Sequence, residues 1–166
     1  CLIISMFLSF VFPAMYPANA LAADEYVFER MWPVLEQPWY FYFPRFVATD
    51  NSGNVYVGDT SYHRIQKFTS AGAFITKWGS EGSGNGAFNS PFGVASDSGG
   101  NVYVADYRNH RIQKFSTSGA FIMKWGRKGT ADGEFYHPSG IALDGQGNVY
   151  VVDSWNNRIQ KFSSSG

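Results

Sequence analysis

Three aspartates recur with an arginine five residues on: Asp59 with Arg64, Asp106 with Arg111 and Asp153 with Arg158. A row of carboxylates could serve metal binding or acid–base catalysis. The plainer reading is an ion pair or turn cap that every copy needs to fold, because catalysis seldom requires one group three times. His63 and His110 are equivalent positions, and Asn157 takes their place in the third copy. Two imidazoles could share a metal ion. One of the three positions is already an amide, however, and no carboxylate at ligand spacing accompanies them. His137, the remaining histidine, falls between copies. A histidine that hydrogen-bonds within a turn suits this pattern better, so no metal is assigned.

The other candidates for chemistry are thin. The serines gather in turns beside glycine, as in Ser116-Thr117-Ser118-Gly119, without a paired base. No phosphate-cradling loop leads into a helix. The single cysteine, Cys1, excludes an internal disulfide framework and a cysteine metal site. Lys+Arg and Asp+Glu both number 13, so the global charge favours neither nucleic acid nor an anionic membrane. No catalytic residue and no cofactor are assigned.

The elements that must hold these residues repeat in strict register. NVYVADYRNHRIQKF at 101–115 returns as NVYVGDTSYHRIQKF at 54–68 and NVYVVDSWNNRIQKF at 148–162, 47 residues apart each time. Periods of this size signal a solenoid, propeller or array. Within one unit, Phe92–Ser96, Val102–Val104, Arg111–Phe115 and Ala120–Trp125 are short β-branched and aromatic segments bounded by Gly, Asn, Asp or Ser. Asp97-Ser98-Gly99-Gly100 carries hairpin-turn chemistry. Four antiparallel strands per unit predict an all-β protein built from β-propeller blades. Trp78 and Trp125, followed by Phe88 and Phe135, are expected to fill the gaps between blades.

The run Val102-Tyr103-Val104-Ala105-Asp106, then Asn109-His110 before Arg111-Ile112-Gln113-Lys114-Phe115, resembles the NHL repeat, with Arg as the third letter of the tripeptide. The connections Gly86-Ala87-Phe88-Asn89-Ser90-Pro91 and Gly133-Glu134-Phe135-Tyr136-His137-Pro138 resemble it too. The resemblance covers about residues 26–166. It implies a propeller, six-bladed when complete, of which this chain holds only part. It also implies a binding platform, although some similar proteins are lyases with a histidine-bound metal near the axis and others bind RNA.

Residues 1–22 read as a signal-peptide-like segment: an apolar run at Leu2–Phe12, then Ala20-Leu21-Ala22 as a processing site. The remainder, 23–166, reads as a partial blade at 26–50, repeats at about 46–91 and 92–138, and a partial repeat at 139–166. Secreted, periplasmic or cell-surface placement is expected, with membrane contact only through an uncleaved N-terminal segment. Further repeats or a homodimer would complete the ring.

Where the copies differ, function has room. After the three aspartates come Thr60-Ser61-Tyr62, Tyr107-Arg108-Asn109 and Ser154-Trp155-Asn156. Tyr62, His63, Tyr107, Arg108, His110, Trp155 and Asn156 are therefore the candidate binding residues, for a protein, peptide or glycan. The alternatives are packing between blades for these side chains, and for the protein a metal-dependent lyase or hydrolase, or RNA binding, which the signal-like segment disfavours.

Overall fold

The computed structural model describes residues 40–166. Their strands form three antiparallel sheets in chain order. The first holds β1 (Pro44–Thr49), β2 (Val55–Asp59), β3 (Arg64–Phe68) and β4 (Phe74–Trp78). The second holds β5 (Pro91–Ser96), β6 (Val102–Asp106), β7 (Arg111–Phe115) and β8 (Phe121–Trp125). The third has β9 (Pro138–Leu143), β10 (Val149–Asp153) and β11 (Arg158–Phe162). Each sheet is an up-and-down blade whose strands pair in sequence order. The expected signal-like segment, and residues 26–39 of the expected partial blade, lie outside the described residues. The segment at 44–50 opens the first sheet as β1.

The turn between the first two strands follows from one aspartate. Asp97 Oδ1 accepts the backbone N–H of Gly99 at 3.0 Å and of Asn101 at 2.8 Å. Its Oδ2 accepts the Asn101 side-chain amide at 2.8 Å. Gly100 closes the turn at φ +80, a region that costs glycine nothing sterically. Asp50 and Asp144 make the same turn in the other sheets.

Blades stack through the first strands, β5 lying against both β1 and β9. Strand alternation sends Tyr56 and Ile65 of the first sheet toward Val94, Val102, Val104 and Phe115 of the second, with Phe88 from the connecting loop sealing the layer. Tyr103, Ala105 and Ile112 leave the second sheet on its other face and meet Phe135, Val149 and Val151. A central blade is therefore apolar on both faces, and all of β6 is buried. As the sequence predicts, Phe88 and Phe135 are wholly buried between blades, and Trp78 packs on Phe115 of the next blade at 5.9 Å. Each such ring contributes about 1.5–3 kcal/mol by leaving water.

Candidate functional site

The repeated Asp–Arg pairs lie at one end of the strands, and they fasten loops. Asp106 is fully buried, and its Oδ2 accepts Arg111 Nε at 2.7 Å, Asn109 Nδ2 at 2.8 Å and Gln113 Nε2 at 3.1 Å. Its Oδ1 accepts the backbone N–H of Asn89, in the loop that enters the blade, at 2.7 Å. Arg111 then spends its remaining donors on that loop, reaching the carbonyls of Ser83, Gly84 and Ala87 at 2.7–2.9 Å. Asp153 repeats the arrangement with Tyr136, Asn156, Arg158 and Gln160. Asp59 does so with Tyr42, Arg64 and Gln66. Every carboxylate oxygen is thus occupied by donors from its own blade and loop.

Burial pushes the Asp106 carboxyl above the ordinary carboxylate range, against the donors from Asn109, Asn89 and Arg111. At Asp153 burial also pulls upward, but the donors from Tyr136, Asn156, Arg158 and Gln160 prevail and the carboxyl sits below that range. The side chains and partners correspond, and the difference is how deeply each pair is enclosed.

Among the glutamines that join these networks, one is not fully satisfied. Gln113 Oε1 accepts the N–H of Gly86 at 3.0 Å and Gln160 Oε1 that of Gly133 at 2.9 Å. Gln66 Oε1 is buried with no partner among the described residues.

After each aspartate the chain makes one 3-10 turn, Thr60–Tyr62, Tyr107–Asn109 or Ser154–Asn156. Short polar sequences with no helical period give no advance sign of these turns. The residue that closes each is left-handed: His63 at φ 52, His110 at φ 55 and Asn157 at φ 52. Asn and His are among the side chains that tolerate this region best, which accounts for their interchange. The imidazoles also act as acceptors. His63 Nδ1 takes the N–H of Ser90 at 3.0 Å, and His110 Nδ1 takes that of His137 at 3.1 Å. With Nδ1 accepting a backbone N–H, each neutral ring carries its proton on Nε2 and keeps no free lone pair for a metal ion. Among the described residues, no group of three or more His, Cys, Asp and Glu is placed to hold a metal ion.

The turns abut the loops between blades: the N–H of Ser61, Arg108 and Trp155 each donate, at 3.0 Å, to the carbonyls of Tyr42, Asn89 and Tyr136. Of the candidate binding residues, Tyr62 is 49% exposed and Trp155 58%, and Arg108 is exposed. Asn109 and Asn156 are committed to the aspartate and to the carbonyls of Gly82 and Gly129. Tyr107 is half-buried in a stack. Phe92 lies against it at 4.1 Å and 12°, His137 at 4.4 Å and 28°. His137 in turn meets His110 at 4.5 Å, Trp155 at 4.8 Å and Tyr136 at 4.9 Å. The structure thus brings Tyr107, His110 and Trp155 into one cluster across two blades. Tyr62 stands apart on the first blade, against Tyr42 at 5.6 Å and beneath the Arg64 guanidinium at 4.6 Å.

Phe92, Tyr136 and Arg45 belong to this surface, and sequence reasoning does not single them out; Lys128 belongs to it too, where the sequence reads Arg127-Lys128 with Lys124 as a basic cluster on a solvated loop. The signal that could have found them is variability between copies at fixed register, since Phe92 corresponds to Arg45 and Ser139.

Stacked antiparallel sheets, two of four strands and one of three, tied through their first strands and loops, define a β-propeller scaffold. The sequence pattern of the NHL repeat matches at residues 41–68, 88–115 and 135–162, together just over half of the chain. The chain belongs to the NHL repeat family. Solved structures of similar fold include a streptogramin B lyase, at 18% identity and TM-score 0.58 over 72% of this chain and 37% of that one. They include a chain of a nidogen/laminin complex, at 24% identity and TM-score 0.59 over 74% and 46%. A virginiamycin B lyase from Staphylococcus aureus, crystallised with quinupristin, aligns at 15% identity and TM-score 0.56 over 77% and 43%. This chain spans less than half of each of those proteins. No curated protein sequence matches it.

Proposed function

We propose that this chain is a recognition propeller, not a catalyst, and that it binds a protein, peptide or glycan through the face formed by its 3-10 turns and inter-blade loops. The observation that carries the reading is the contrast within those turns. Their backbones coincide, down to left-handed closing residues at φ 52–55, while their side chains diverge into Tyr62, Arg108 and Trp155, all exposed. Rigid loops with exposed aromatic and arginine side chains are the usual material of binding surfaces. The repeated carboxylates and imidazoles, by contrast, are consumed by loop fastening.

Similar folds include a lyase and a chain from a nidogen/laminin complex, so the scaffold alone does not choose between enzyme and binder. A secreted, periplasmic or cell-surface setting accompanies the proposal, supported by the signal-like composition of residues 1–22.

The test is to pan a displayed peptide library and a glycan array with the full chain and with a Tyr62→Ala/Arg108→Ala/Trp155→Ala variant of unchanged circular dichroism. Ligands lost by the triple variant support the reading. Ligands held equally well by both proteins sink it.

A further inference from the structure

We propose that the recognition face is selective for acidic polypeptide segments, which it meets with exposed cations set around the edges of a closed ring stack. This rests on the recognition reading above and narrows its ligand.

The faces of the central rings are already taken. Two rings near-parallel to Tyr107 at 4.1 and 4.4 Å must lie on its opposite sides, so Phe92 and His137 cover both of them. The Arg45 guanidinium sits over Phe92 at 4.5 Å, and Tyr136 stacks on His137 at 4.9 Å and 25°. A neutral sugar or a nucleobase needs an uncovered aromatic face to lie on. The stack offers solvent chiefly its edges, and an aromatic edge is the electropositive part of the ring.

The cations around the stack point the same way. Arg45 caps one end and Lys128 lies over Tyr136 at 5.0 Å near the other, while Arg108 is exposed beside Tyr107. Among the described residues none of the three makes a salt bridge. Among the described residues, the carboxylates of the turns and loops on this side are otherwise engaged, Glu81 apart. Asp59, Asp106 and Asp153 are buried against Arg64, Arg111 and Arg158. Glu134 pairs with Arg127 at 2.8 Å and Asp132 with Arg158 at 3.6 Å. Glu81, exposed in the loop entering the second blade, makes no salt bridge to any of the three.

Three dispersed cations on a chain of net charge +0 suit a few carboxylates, not a polyanion. A nucleic acid or sulfated polysaccharide draws its affinity from many phosphate or sulfate contacts at once. A short run of Glu or Asp needs only two or three.

The experiment is fluorescence anisotropy of a labelled (Glu-Gly)6 peptide with the full chain, at ~50 mM salt where exposed charges are weakly screened. Arg108→Glu and Lys128→Glu are expected to weaken binding about tenfold or more, as reversal of a charge facing an anion does. Lys124→Glu, the same charge change on the outer strand β8, is expected to leave it unaltered. Equal weakening by Lys124→Glu overturns the proposal, as does tighter binding of heparin than of the peptide. Absence of peptide binding overturns it as well. Should the library ligands still depend on Tyr62, Arg108 and Trp155 in that last case, the recognition reading stands and only the acidic selectivity falls. If they do not, both fall.

Discussion

The Nδ1 of His110 accepts the backbone N–H of His137 at 3.1 Å, so a side chain ending the turn of one blade caps the loop that enters the next. Protonation would convert that acceptor into a donor aimed at another donor. Burial, then the charges of His137 and Lys128, hold the His110 imidazole below its ordinary range, with Asp153 opposing.

A histidine depressed on folding takes up fewer protons than the unfolded chain does, so its stabilising contribution is complete above the unfolded value near 6.5 and is lost as pH falls through the folded value. Lowering the pH from about 7.5 to about 5.5 should therefore reduce the Tm of the wild type. His110→Asn keeps a side chain suited to the left-handed position and should flatten that part of the profile. Thermal melts of both proteins across the range decide it, and parallel profiles would refute the role given to His110.

Asp106→Ala removes one carboxylate and strands four donors, one of them the guanidinium of Arg111. Breaking a buried ion pair from one side costs about 3–5 kcal/mol. Asp106→Asn retains an acceptor oxygen but not the charge, and should cost less. Urea denaturation of the two variants should rank them in that order. Arg111 is bonded to three loop carbonyls, so hydrogen exchange should rise in 80–90 as well as in the second blade.

Ile112 and Ile159 are the same residue at the same place in successive copies, yet Ile112 is 0% exposed and Ile159 69%. Ile112→Ala should cost about 2–5 kcal/mol, as truncation of a buried isoleucine does. Ile159→Ala should change stability by less than about 0.5 kcal/mol. Comparable losses at the two positions would mean that a further surface covers the third blade in solution.

Gly79 leaves β4 at φ +101, and a Cβ there would fall 2.6 Å from the Phe88 ring and 2.9 Å from the His63 carbonyl. Gly79→Ala meets both an unfavourable backbone and a crowded core, and should lower stability by about 1–3 kcal/mol. An unchanged unfolding midpoint would contradict the packing of Phe88.

The strands were legible because their signals are local and repeated. RIQKF between turn residues is a strand in all three copies, and Asp-x-Gly-Gly or its variant is a hairpin wherever it occurs. A structural role for Asp106 was legible from its spacing to Arg111, as an ion pair or a turn cap. Its bond to Asn89 was not, because that partner belongs to a connection whose path only the packed blades define. The stack of Phe92, Tyr107 and His137 was hidden for another reason. Its members come from a strand, a turn and a loop, which only the packed blades bring together, although variation between copies marks their positions.

The fastenings between blade and loop recur at fixed offsets: Asp106 to Asn89 and Asp153 to Tyr136 across 17 residues, His63 to Ser90 and His110 to His137 across 27. A gene crossover that joins any point of one copy to the matching point of another would restore all of them. A crossover out of phase would orphan a carboxylate, a guanidinium and an amide together. Such a lineage can lengthen or shorten only by whole blades, and the side chains of the 3-10 turns are what it can exchange freely each time it does.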